Sequence, residues 1–93
     1  MIEATFDSVW DAIEGTPEEA ANMKLRSKLM MAAQAHIRAN GWTQQMAAER
    51  LHVTQPRISD LMRGKIDLFG LDTLVNMLTA AGLRVELRIA EAA

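Results

Sequence analysis

The stretch TQQMAAERLHVTQPRISDLMRGK, from Thr43 to Lys65, leaves little freedom in how the chain around it folds. Thr43 can cap a helix that runs through Leu51. Thr54 can cap another, in which Pro56 falls within the first turn, where its missing N–H is harmless. Gly64 closes this second helix. The connection His52-Val53-Thr54 is only three residues long, so the two helices must turn sharply and cross at close quarters. Ala47 is small where that crossing falls, and Leu51, Val53, Ile58 and Leu61 supply the buried side. Packing has no use for Gln44, Gln55, Arg57, Ser59, Arg63 or Lys65.

The remaining segments supply a core for this pair. FDSVWDAI places Phe6, Val9, Trp10 and Ile13 at helical spacing in a short amphipathic segment that stops at Gly15. Thr16 as N-cap, Pro17 at the first helical position and Glu19 three residues after the cap announce a long helix, from about Pro17 to Asn40. Leu25, Leu29, Ala33 and Ile37 share one of its faces, and Lys24, Lys28 and Arg38 its polar side. Beyond the pair, Leu71, Leu74, Val75, Leu78 and Ala81 follow the spacing of a core-facing helix that Gly82 ends. Trp42 and Phe69, each just ahead of a helix, read as core anchors. The expected fold is mainly α, with four short helices around one core.

The tail LRVELRI alternates strictly, with Leu83, Val85, Leu87 and Ile89 on one face and Arg84, Glu86 and Arg88 on the other. It predicts one strand over residues 83–89. A lone strand with an apolar face must pair with the amino-terminal segment, with another protein, or with its own copy; a dimer is the favoured arrangement. The chain thus divides into an acidic arm (1–19), a helical domain (20–82) and a dimerisation strand with its tail (83–93).

A net charge of −2 conceals an asymmetry. Residues 1–22 carry six carboxylates and no Lys or Arg, giving −6, whereas the rest hold all ten Lys and Arg against six carboxylates, giving +4. A mildly basic body permits phosphate binding. With no cysteine, neither disulfides nor thiolate metal sites are available, and His36 and His52 lack a partner at ligand spacing. Glu18 and Glu19, or Asp7 and Asp11, have no nucleophile or oxyanion donor near them in sequence. No catalytic residue, metal or cofactor is expected. No apolar run is long enough to cross a bilayer and no leader pattern opens the chain, so a cytoplasmic protein is expected.

Once the apolar positions of the second helix of the pair point inward, its outward face near the amino end consists of Gln55, Pro56, Arg57, Ser59 and Asp60. That chemistry suits the major groove of double-stranded DNA. Gln matches an adenine edge, Arg a guanine edge, Ser either, and Asp can accept from cytosine or hold the neighbouring Arg. Thr43, Gln44 and Thr54 at the helix starts, with Arg63 and Lys65 at the far end, would contact phosphates on either side.

These residues resemble the helix-turn-helix of the XRE/lambda-repressor-like regulators, whose pattern runs T-Q, an alanine, L-G-V-[ST]-Q and a closing G-K. DLFGLDTLVNMLTAAGLRVELRI resembles the following helix and terminal strand of their HigA-like subgroup. The resemblance spans about Ala20 to Ile89. It implies a lambda-repressor-like domain of four to five helices with a C-terminal strand paired across a homodimer, and a repressor binding a palindromic operator. Within the subgroup, members commonly act as antitoxins that bind a small ribonuclease toxin and repress their own operon; others are plain regulators. A small basic toxin would meet Phe6, Val9, Trp10 and Ile13, an apolar face rimmed with acid; the alternative is that this face packs back on the body. The other rival is a protein-binding module that uses the amino-terminal arm. Two positions depart from the family pattern. The turn glycine is His52, where a left-handed backbone is strained, and the serine that caps the last helix is Gly70, a weaker cap.

Overall fold

Helix ends are where this chain declares its fold most openly. The computed structural model describes residues 2–3 and 15–92, and the four α-helices among them are α1 (Pro17–Ala39), α2 (Gln44–Leu51), α3 (Gln55–Met62) and α4 (Leu71–Ala80). Thr16, Thr43 and Thr54 each stand in extended backbone and accept, through the side-chain oxygen, an amide N–H three residues on: Glu19 at 3.0 Å, Met46 at 3.1 Å and Arg57 at 3.4 Å. Each bond satisfies one of the donors that a helix start leaves without a partner. Gly70 stands at the same place before α4 and offers no side-chain bond.

The other ends share a motif. Past α1, α3 and α4, a glycine at positive φ (Gly41, Gly64, Gly82) lets the next residue bond back into the last turn: Trp42 to the Ile37 carbonyl, Lys65 to Asp60 and Leu83 to Leu78, at 3.0 to 3.2 Å. Val53 N–H reaches the Ala48 carbonyl in the same way at 3.0 Å, but the left-handed residue of that turn is His52, at φ 58° and ψ 42°. The expected replacement of a turn glycine by histidine is therefore realised in the backbone, with the side chain exposed.

The helices enclose one core in which α1 packs on α4 and α3, and α2 packs on α3 and α4. Ala47 at the α2 crossing, Ile58 and Leu61 from α3, Phe69 and Leu74 are all fully buried. A 3-10 turn at Ile66–Leu68 sets Phe69 beneath this layer. Leu29, Ala33 and Ile37 are buried as expected, and Leu25 is half-buried. Two expectations are corrected. Lys24, placed on the polar side of α1, is only 6% exposed; it lies one turn past Ala20, and the buried stripe extends to include it. Val75, placed in the core, is 36% exposed, while Met77 is 1% exposed. The stripe of α4 runs through Leu74, Met77 and Leu78, and Val75 is turned about 100° from Leu74 onto the rim.

The tail also differs from the expected seven-residue strand. Leu83 and Val85 pack half-buried against the helical core. Extended pairing is confined to β2 (Leu87–Arg88), which lies parallel to β1 (Ile2–Glu3), Leu87 beside Ile2 and Arg88 beside Glu3. The first half of the alternation is spent on the body of the domain, so only its last part is free for a ladder. Of the three partners considered for this strand, the amino-terminal segment is the one seen within the chain. Phe6, Val9, Trp10 and Ile13 lie outside the described residues.

Candidate nucleic-acid interface

α3 is anchored from behind and open in front. Ile58 and Leu61 are fully buried, and Gln34 on α1 donates its Nε2–H to the Leu61 carbonyl at 2.8 Å. That carbonyl, in the last turn of α3, also accepts the Gly64 N–H at 3.1 Å, and the amide of Gln34 takes its second lone pair. Gln34 thereby ties the far end of α3 to the longest element, a role that helical periodicity alone does not reveal. On the opposite side Gln55 and Pro56 are exposed and Ser59 and Asp60 are half-buried, while Arg57, one turn before Leu61, is half-buried at the edge of the buried stripe.

Arg57 does not extend freely from this face. Its guanidinium carbon lies 4.6 Å from the centroid of the Phe69 ring, so the cation stands over the face of a core aromatic. The two residues belong to different elements, and no local spacing could have joined them. Asp60 is engaged as well, but with Lys65 rather than an arginine: Lys65 Nζ lies 3.5 Å from Asp60 Oδ1. One expected base contact and one expected phosphate contact therefore form an ion pair with each other.

The flanking positions are accessible. Thr43, Gln44, Thr54 and Arg63 are exposed, and the Thr43 and Thr54 hydroxyls, already accepting their cap bonds, keep an O–H to donate. Behind Gln44, Trp42 is half-buried against the core. It meets the His36 ring edge-on at 5.2 Å and the Arg50 guanidinium at 5.5 Å, which buttresses the start of α2.

In the tail, Leu87 is 54% and Ile89 81% exposed. Arg84 and Glu86 form a 2.8 Å ion pair on the polar face of the tail. Among the described residues no cluster of histidines and carboxylates could hold a metal ion, and no helix is long and apolar enough to cross a membrane.

Residues 14–90 match the model of a family described as a helix-turn-helix domain. A solved structure assigned to the XRE family of transcriptional regulators superposes on the chain with a TM-score of 0.73 at 30% identity, covering 80% of this chain and 83% of that one. The chain belongs to the XRE-type helix-turn-helix regulators. No curated protein matches it significantly. In a regulator of this family the helix-turn-helix is the DNA-binding element.

Proposed function

We propose that this XRE-family regulator is a sequence-specific repressor that reads the major groove with the amino-terminal half of α3. The observation that carries the proposal is the division of α3 into two sides, with Ile58 and Leu61 fully buried and Gln55 and Pro56 exposed beside Arg57, Ser59 and Asp60. Gln55, Arg57 and Ser59 face bases. Thr43, Gln44, Thr54, Arg63 and Lys65 serve phosphates and set register. Asp60 acts mainly by holding Lys65.

Residues 20–82 form the DNA-binding unit in this proposal, and residues 83–93 join two copies. β2 has β1 on one edge and, among the described residues, no strand on the other. Exposed Leu87 and Ile89 beside such an edge favour pairing. An antiparallel pairing centred on Leu87 sets Glu86 of one copy against Arg88 of the other, an opposite-charge pair worth about 0.2–1 kcal/mol. A two-fold dimer requires a palindromic operator with half-sites about one helical turn (~34 Å) or a multiple apart.

Such a repressor fits the antitoxin of a toxin–antitoxin pair, in which the acidic residues 1–19 and the apolar Phe6, Val9, Trp10 and Ile13 would receive a small basic toxin. The charge asymmetry of the sequence and its HigA-like tail support this reading. The test is a mobility shift with DNA from upstream of the gene: specific retardation that weakens as salt rises is expected, and equal retardation of unrelated duplexes would defeat sequence-specific repression. Co-purification with the product of a small basic reading frame beside the gene tests the antitoxin role separately.

A further inference from the structure

The closing arginine–aromatic contact of the α3 face points to a residue that helps read DNA without touching it. Phe69 is fully buried within the core cluster and follows the 3-10 turn, its own N–H bonded to the Ile66 carbonyl at 3.1 Å. Its ring is therefore a fixed platform. Arg57, half-buried, lays its guanidinium over that platform at 4.6 Å. A guanidinium held over an aromatic face by its charge keeps the N–H donors that point away from the ring free to bond.

We propose that Phe69 is a positioning residue for sequence reading: it seats the Arg57 guanidinium beside the amino-terminal half of α3, and the edge of that seated group bonds a guanine while the stack persists. This rests on the α3 reading proposed above. An unsupported arginine would have to give up the rotamer freedom of a long side chain on binding, whereas a seated one has already done so. The gain falls on specific sites only, because non-specific binding draws on phosphate contacts made elsewhere.

The experiment uses the full-length chain. Selection from random duplexes first defines the preferred site of the wild type. Affinity for that site and for its single-base variants is then measured for Arg57→Ala, for Phe69→Leu, and for protein carrying 3,4,5-trifluorophenylalanine at position 69. Fluorination withdraws π density from the ring and changes its shape little, so it separates the stack from core packing where Phe69→Leu fails to fold. Both Phe69 changes should lower specific affinity by about 2- to 30-fold. They should also flatten the preference at the same base pair that Arg57→Ala flattens, with the salt dependence of non-specific binding unchanged. An unchanged preference in the folded fluorinated protein would overturn the proposal. Tighter specific binding would overturn it too, since the stack would then be a latch that Arg57 must leave. A wild type that selects no sequence at all would defeat the α3 reading itself, and this proposal with it.

Discussion

Lys65 and Asp60 hold each other twice, through an ion pair at 3.5 Å and through the Lys65 N–H bonded to the Asp60 carbonyl at 3.1 Å. The backbone bond closes α3 whatever the side chains are; the ion pair, between groups 43% and 26% exposed, has a stability value of at most about 1 kcal/mol. Its larger effect is on DNA. Asp60→Asn should release the Lys65 ammonium and tighten binding to all sequences alike, while Lys65→Ala should weaken all alike and lower the salt slope by about one unit. Titrations at several salt concentrations check both. A change in base preference on Lys65→Ala would show that Lys65 reads sequence.

Arg57→Ala should cost about 1–3 kcal/mol on the preferred operator and relax the preference at one position. Because the same side chain covers the Phe69 face, the variant should also unfold more easily, by about 0.5–1 kcal/mol. Urea unfolding beside the operator titration separates the two effects. Wild-type affinity in the variant would remove Arg57 from the reading set.

His52→Gly should stabilise the protein. The left-handed backbone at His52 strains a side-chain-bearing residue by roughly 1–2 kcal/mol, and the greater freedom of glycine in the unfolded chain offsets part of that. A net gain of up to about 1 kcal/mol is expected, visible as a raised urea midpoint at constant slope. A lowered midpoint would mean that the imidazole stabilises the turn by more than the strain costs.

Gly70→Ser should stabilise α4 by about 0.3 kcal/mol, the usual advantage of a serine cap over glycine. Gly70 has extended backbone, and nothing lies within 4 Å of where a Cβ would stand. Gly70→Ala is the control, adding the Cβ without the hydroxyl, and should not reproduce the gain. Equal unfolding midpoints for the two variants would argue against capping.

Truncation after Gly82 should leave a helical monomer, less stable because Leu83 and Val85 no longer cover the core, with sharply weaker operator binding, since one copy then contacts only one half-site. Sedimentation checks this. A truncated chain that remains a dimer would place the interface on the helical body rather than on residues 83–89.

The elements of this domain were legible in the sequence because their determinants are short-range. A threonine cap acts on an N–H three residues away, and a glycine-closed helix end joins residues five apart. Thr16, Thr43, Thr54, Gly41, Gly64 and Gly82 therefore bounded their helices without reference to anything else in the chain. The two departures, His52 and Gly70, stood out only against the pattern of the family that the sequence resembles. Ala47, Ile58 and Leu61 were legible as buried positions for a related reason: the short connection between α2 and α3 allows few ways to pack.

What only the tertiary structure decided lies between elements. Gln34 meeting the Leu61 carbonyl and Arg57 meeting Phe69 depend on how α1 and the 3-10 turn approach α3. The burial of Lys24 and of Met77 in place of Val75 depends on how far each apolar stripe rotates against its neighbours. The fate of the tail follows the same rule. Alternation marked residues 83–89 as strand-like, but Leu83 and Val85 face a helical core that a repeat of two cannot foresee. Local hydrogen bonding chose the helices; the shared burial of side chains distant in sequence chose which polar groups remain to face DNA.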